Sequence, residues 1–236
     1  MGVKAINALQ EIWNGFDFSR LQEIFMRVIP ALLCITLHEL SHGAVAYALG
    51  DDTAKKAGRL TLNPIKHLDV MGLLMMVIFG FGYAKPVPVD MMKFKNPKRG
   101  MAITALAGPV SNVAICAVFL FLYGLLYYPL RIRNALGAFG GGILEIVYIT
   151  AYISIAMGIF NLLPIPPLDG SKVLYSVLPN DVYYRLMRYE RYGMILLLLL
   201  VWTDLVGSPL SAAVEWSFDK LFNVAQWGFD IVKRFI

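Results

Sequence analysis

Residues 101–130 form a run of 30 residues without one charged side chain. A helix needs only about 20 residues to cross the hydrocarbon core of a bilayer. In lipid the backbone must satisfy its own hydrogen bonds, and a helix does so within one segment. Three further runs are long and apolar: 28–49, which breaks the pattern with His38, Glu39 and His42, 146–168, and 192–214 with the single charge Asp204. Composition agrees, with 58% apolar and 16% charged residues and a mean hydropathy of +0.63. Ordinary soluble domains carry about 25% charged residues. A soluble enzyme and a disordered chain are both excluded, and 236 residues leave no room for a large soluble domain beside several spans. The fold class is mainly α, a multi-pass transmembrane helical bundle. The chain is expected to sit in the cell membrane, with the lipid bilayer as a partner.

The net charge of +5 is carried between the apolar runs. That is where loops facing the cytoplasm place lysine and arginine. With no nucleic-acid motif present, no nucleic-acid partner is expected. Lys55, Lys56, Arg59 and Lys66 lie before residues 70–82, and Lys85, Lys93, Lys95, Lys98 and Arg99 follow them. The uncharged stretch 70–82 is short for a span and holds Gly72, Gly80 and Gly82. It reads as re-entrant, which puts both basic loops on the cytoplasmic side. Residues 131–142 then form a glycine-bearing outer loop. The segment 163–191 returns inside with Lys172, Arg185, Arg188 and Arg191. Pro164, Pro166 and Pro167 stop the preceding helix near Leu163. Four full spans and one re-entrant segment result.

Residues 1–19 place Ile6, Leu9, Trp13 and Phe16 at helical spacing, which suits a membrane surface, and lack the pattern of a signal peptide. Ser19 and Gln22 fit a capping box that starts a helix at about Arg20. In 211–236, Phe218, Leu221, Phe222, Ala225, Phe229, Val232 and Ile236 line one helical face against Asp219, Asn223, Gln226, Asp230 and Lys233. This amphipathic helix reads as lying in the interface, and a helix packed on other spans is the alternative. Cys34 and Cys116 lie in apolar runs and make no disulfide framework.

Residues 38–42 read HELSH, inside a span. The chain has three histidines and six glutamates, so a chance HExxH has a probability on the order of 0.001. His38 and His42, four apart, project from one helical face. Two neutral imidazoles suit zinc. Glu39 stands where it can take a proton from water activated by the metal. Ionisable residues inside a span are costly and functional by default. A catalytic zinc takes three protein ligands and keeps one position open. Asp169, past the 146–163 helix and on the same side of the membrane, is the best-placed third group. It precedes Gly170, so a turn aspartate is the plainer reading. Asp69 and Asp90 are rivals on the correct side, Glu145 and Asp204 lie near outer ends, and His67 reads more readily as a supporting or loop histidine than as a ligand.

HELSH, together with Asn161, Pro164, Asp169 and Gly170 in an N-x-x-P-x-x-x-x-D-G pattern, resembles the site-2 protease family of intramembrane zinc metalloproteases. GRLTLNPIKHLDVMG at 58–72, FGYAKPVPVD at 81–90 and ALAGPVSN at 105–112 resemble members without an extra soluble domain. Val70 departs from the proline common in related chains, which touches only local loop shape. The resemblance covers about 20–172. It implies one zinc per chain held by His38, His42 and Asp169, Glu39 as general base, and a catalytic polar role for Asn161 at the substrate carbonyl. It implies a transmembrane protein substrate and a site opening toward the cytoplasm. It also implies a small membrane-associated β region within 58–90, near the active site. An edge strand there could hold an unwound substrate, with Pro86 and Pro88 limiting the pairing. Residues 20–210 would form the protease core. A membrane metal transporter and an inactive relative that binds membrane segments are the rival functions.

Overall fold

The computed structural model describes residues 18–69, 72, 84–203 and 205–235. Residues 1–17, Asp204 and, apart from Gly72, the expected re-entrant stretch 70–82 lie outside them. The long helices are α1 (Phe18–Ala48), α3 (Pro97–Tyr127), α4 (Gly137–Asn161) and α8 (Gly207–Lys233). Shorter ones are α2 (Thr53–Lys56), α5 (Asp169–Ser176), α6 (Asn180–Tyr189) and α7 (Gly193–Trp202). Among the described residues, three stretches are helical, long and apolar enough to cross a membrane: Phe25–Ala48, Pro97–Ile132 and Gly137–Asn161.

The fourth span differs from its expected form. Residues 192–214 are not one helix. The chain bends by 87° between α7 and α8, and only as a bent pair could these two make a span. The Thr203 hydroxyl turns back onto the Leu199 and Leu200 carbonyls, at 2.9 and 3.2 Å, which closes α7. Gly207 and Pro209 then open α8, where a proline in the first turn forfeits no hydrogen bond.

The tail is accordingly part of a longer helix, packed on α3 and α4 and not detached on a surface. Cys116 and Leu120 of α3, Ala151 and Ile155 of α4, and Val214, Phe218 and Ala225 of α8 form one buried cluster. Gly124 and Gly228 let the α3 and α8 backbones touch. A Cβ on Gly124 would meet the Ala225 carbonyl, and one on Gly228 would lie 2.9 Å from the Leu125 nitrogen. Small residues serve membrane helix contacts in this way, because lipid offers no hydrophobic drive for helices to associate.

The connection between α3 and α4, expected as an outer loop over 131–142, is shorter than that. α3 runs through one wider turn at Tyr128–Ile132, and α4 already begins at Gly137. Leu136 and Gly137 carry positive φ angles of 68° and 53° and make the sharp reversal. Gly140 continues inside the helix, where its missing side chain admits the Ala135 carbonyl and Leu130.

The small β region is not supported, since no strand forms among the described residues of 58–90. Three backbone donors of 84–90 are committed elsewhere. Lys85 N–H donates to the His67 carbonyl (2.9 Å), Val87 N–H to Glu39 (2.8 Å) and Asp90 N–H to Asp51 (2.7 Å), while Pro86 and Pro88 have none to give. A segment with its donors so used offers little to a neighbouring strand.

Candidate active site

The HELSH turn lies in the last third of α1. Its hydroxyl is satisfied internally, Ser41 Oγ donating to the Leu37 carbonyl at 2.7 Å. His38 and His42 are buried and face α3. Gly108 of α3 makes room for them, since a Cβ there would lie 2.5 Å from His42 Nε2 and 2.6 Å from His38 Nε2. The Thr104 carbonyl of α3 meets His42 Nδ1 at 2.7 Å. That contact places the ring proton on Nδ1 and leaves Nε2 as a lone-pair donor.

Asp169 reaches the histidines from the other side. α4 ends at Asn161, the proline-rich turn folds back, and Asp169 opens α5. Gly170 permits the fold-back, because any side chain there would strike the Leu162 and Leu163 carbonyls at the end of α4. Asp169 Oδ2 lies 3.2 Å from His38 Nε2 and 3.0 Å from His42 Nε2, and the two imidazole nitrogens are 3.0 Å apart.

Three donor atoms therefore converge on one buried point, and they are the one such group found among the described residues. A tetrahedral centre with bonds of about 2.0–2.1 Å sets its ligand atoms about 3.3 Å apart. The observed triangle fits a single zinc ion after small outward shifts. Two imidazoles and a carboxylate are also a donor set that zinc accepts.

The other candidates go elsewhere. His67 is buried but meets the Thr61 carbonyl at 3.0 Å. Asp69 accepts from the Gly72 N–H (3.0 Å), and Asp90 caps the turn at Met91–Lys93 by accepting from the Met92 N–H (3.0 Å). Glu145 is exposed on α4.

Family comparison now bears on this geometry. A model described as peptidase family M50 matches residues 126–201. A relative from Bacillus subtilis (strain 168), "Putative zinc metalloprotease YwhC", is 41% identical over 201 residues, covering 83% of this chain and 90% of the relative. The chain belongs to peptidase family M50. It is a metalloprotease, and zinc is its metal. A protein of the same description from Mycolicibacterium smegmatis, Rip2, is 29% identical over 201 residues, 83% of this chain and 74% of the relative. Another, MJ0611 from Methanocaldococcus jannaschii, is 33% identical over 138 residues, 58% of this chain and 62% of the relative. No solved structure is a significant match.

In this M50 peptidase the donor triangle opens into a cavity of about 1060 Å³, which Glu39 and Asn161 also line. The Val87 N–H holds Glu39 Oε2 at 2.8 Å and leaves Oε1 without that tether. Asn161 spends one amide N–H on the Met157 carbonyl at 3.0 Å. Much of the remaining wall is apolar, from Ile35 and Ile153 to Met157, Leu197 and Val214. Gly108 and Val87 lie in the stretches 105–112 and 81–90 that carry the family resemblance, although neither was singled out as a site residue, and Thr104 lies just outside them.

Proposed function

We propose that this M50 peptidase hydrolyses peptide bonds in or near transmembrane segments of membrane proteins. His38, His42 and Asp169 would hold its single zinc ion. The observation that carries the reading is that the three donor atoms share one cavity with Glu39, within a bundle of membrane-length helices. A wide, mostly apolar cavity suits an unwound hydrophobic peptide, whose carbonyls a transmembrane helix would otherwise hide.

When bound, zinc supplies Lewis acidity and brings the pKa of water to about 7. Glu39 takes a proton from the attacking water and later delivers it to the leaving amine. The Val87 N–H steadies the carboxylate through one oxygen while the other works. Asn161 turns its remaining amide N–H toward the substrate carbonyl, where negative charge develops. His42 is kept in register by the Thr104 carbonyl. The basic loops that carry Lys55, Lys95 and Lys172 support a site that opens toward the cytoplasm.

The test is co-expression with single-span membrane proteins, comparing wild type with Glu39→Gln. A shortened product should appear with wild type alone. Glu39→Gln should keep its zinc, because glutamate is not a ligand in this motif. Cleavage at the wild-type rate by Glu39→Gln would refute the mechanism.

A further inference from the structure

A second cavity, of about 460 Å³, lies between the loop after α1 and the segment before α3. Arg59, Lys66 and Lys85 line it together with Ile65, Pro86 and Pro88, and no acidic side chain does. Arg59 is 7% exposed. Its Nη2 donates to the Lys85 and Pro86 carbonyls, at 2.5 and 3.3 Å, while Nε is buried without a partner. Among the described residues no carboxylate pairs with Arg59, Lys66 or Lys85. A buried guanidinium is ordinarily matched by an anion. Here three cations meet at a cavity with no counter-charge among the described residues.

The surroundings indicate the class of anion. Leu62 and Ile65 are 65% and 73% exposed beside these cations, just past the membrane end of α1. Exposed aliphatic side chains next to lysines suit the boundary between headgroups and acyl chains. The guanidinium fork matches phosphate oxygens, and lysine adds point charges. We infer that Arg59, Lys66 and Lys85 form a binding site for the phosphate of an anionic phospholipid, with Ile65 against its acyl chain. The site is separate from the metal donors. Pro86 alone of the six residues named here also lines the catalytic cavity.

Native mass spectrometry of the full chain, delipidated in detergent, tests the assignment. Phosphatidylglycerol, phosphatidylcholine and inorganic phosphate are the probes. Wild type should retain phosphatidylglycerol in preference to phosphatidylcholine. Lys66→Gln with Lys85→Gln should weaken that retention about 30-fold, since each lysine near an anionic surface contributes about fivefold. Arg59→Gln should weaken it as well. The same charge loss outside the cavity, Lys55→Gln with Lys56→Gln, should leave it nearly intact, and comparable zinc content in all variants shows that each is folded. Equal retention of the two lipids would overturn the site. So would equal losses from the two double variants, which would mean diffuse attraction by any basic loop. Displacement by millimolar inorganic phosphate without lipid preference would assign the cations to a soluble anion and overturn the lipid reading. If retention appears only with an acidic substrate peptide, the cations belong to substrate recognition and the proposal likewise fails.

Discussion

Two polar clusters stand within about one helix turn and a loop of each other at the end of α1, and they are built differently. In the outer cluster every charge is answered. Asp51 accepts from the Thr53 and Asp90 N–H groups, and Asp52 is paired with Lys56 and Lys93, each at 2.6 Å. In the inner cluster Asp169 faces two imidazoles, and among the described residues no lysine or arginine is paired with it. The first arrangement is complete as it stands and fastens the segment 84–95 to the end of α1. The second turns three electron-pair donors toward one point, the arrangement that a bound cation requires. The contrast teaches that a polar cluster marks chemistry by what it lacks. Number of charges alone would rank the outer cluster first.

The comparison can be broken or sharpened by substitution. The largest effect should come from Gly108→Ala. It removes no donor, yet its methyl would press on both imidazoles. Zinc content and cleavage should fall together to background, and an intact zinc site in this variant would show that the close approach of α3 does not shape the donors. Asn161→Ala should keep zinc and lower cleavage by about 10²–10³, the cost of one oxyanion donor. Loss of zinc would move Asn161 into the support of the metal site.

Asp51→Asn should leave zinc bound and lower stability by about 1.5–3 kcal/mol, the scale of hydrogen bonds to a buried charge, read from thermal unfolding in detergent. The smallest effect belongs to Asp52, whose exposed carboxylate is held by Lys56 and Lys93 at about 2 against an ordinary 3.8. A depressed carboxyl lends stability above its ordinary value and loses it as pH falls toward the folded one. Asp52→Asn should therefore lower stability slightly at pH 7, because exposed ion pairs contribute little, and should flatten the acid-side loss between about pH 4 and 2. A change in zinc content in either outer variant would erase the distinction between the clusters.

Much of this was legible in the sequence. HELSH could be read because its chemistry asks for particular residue types at a particular spacing, whereas spacing alone left Asp169 open and the family resemblance pointed to it. The spans could be read because lipid leaves so few solutions for a backbone. The break after Trp202 was hidden, since the apolar run continues through it and only the Thr203 hydroxyl and the following Gly207 and Pro209 mark the bend. The packing of α8 was hidden too. A face bearing Phe218 and Ala225 looks the same whether it meets lipid or α3, and Gly124, which admits the helix, lies 94 residues before Phe218. The strand expected in 58–90 failed for a tertiary reason, because Val87 and Asp90 give their N–H groups to Glu39 and Asp51.

Zinc content per chain in purified wild type, Glu39→Gln and Asp169→Asn tests the central claim most directly. About one zinc is predicted in wild type and in Glu39→Gln, with loss in Asp169→Asn, because a catalytic centre rests on three protein ligands. Full zinc occupancy in Asp169→Asn, or loss of zinc in Glu39→Gln, would contradict the account.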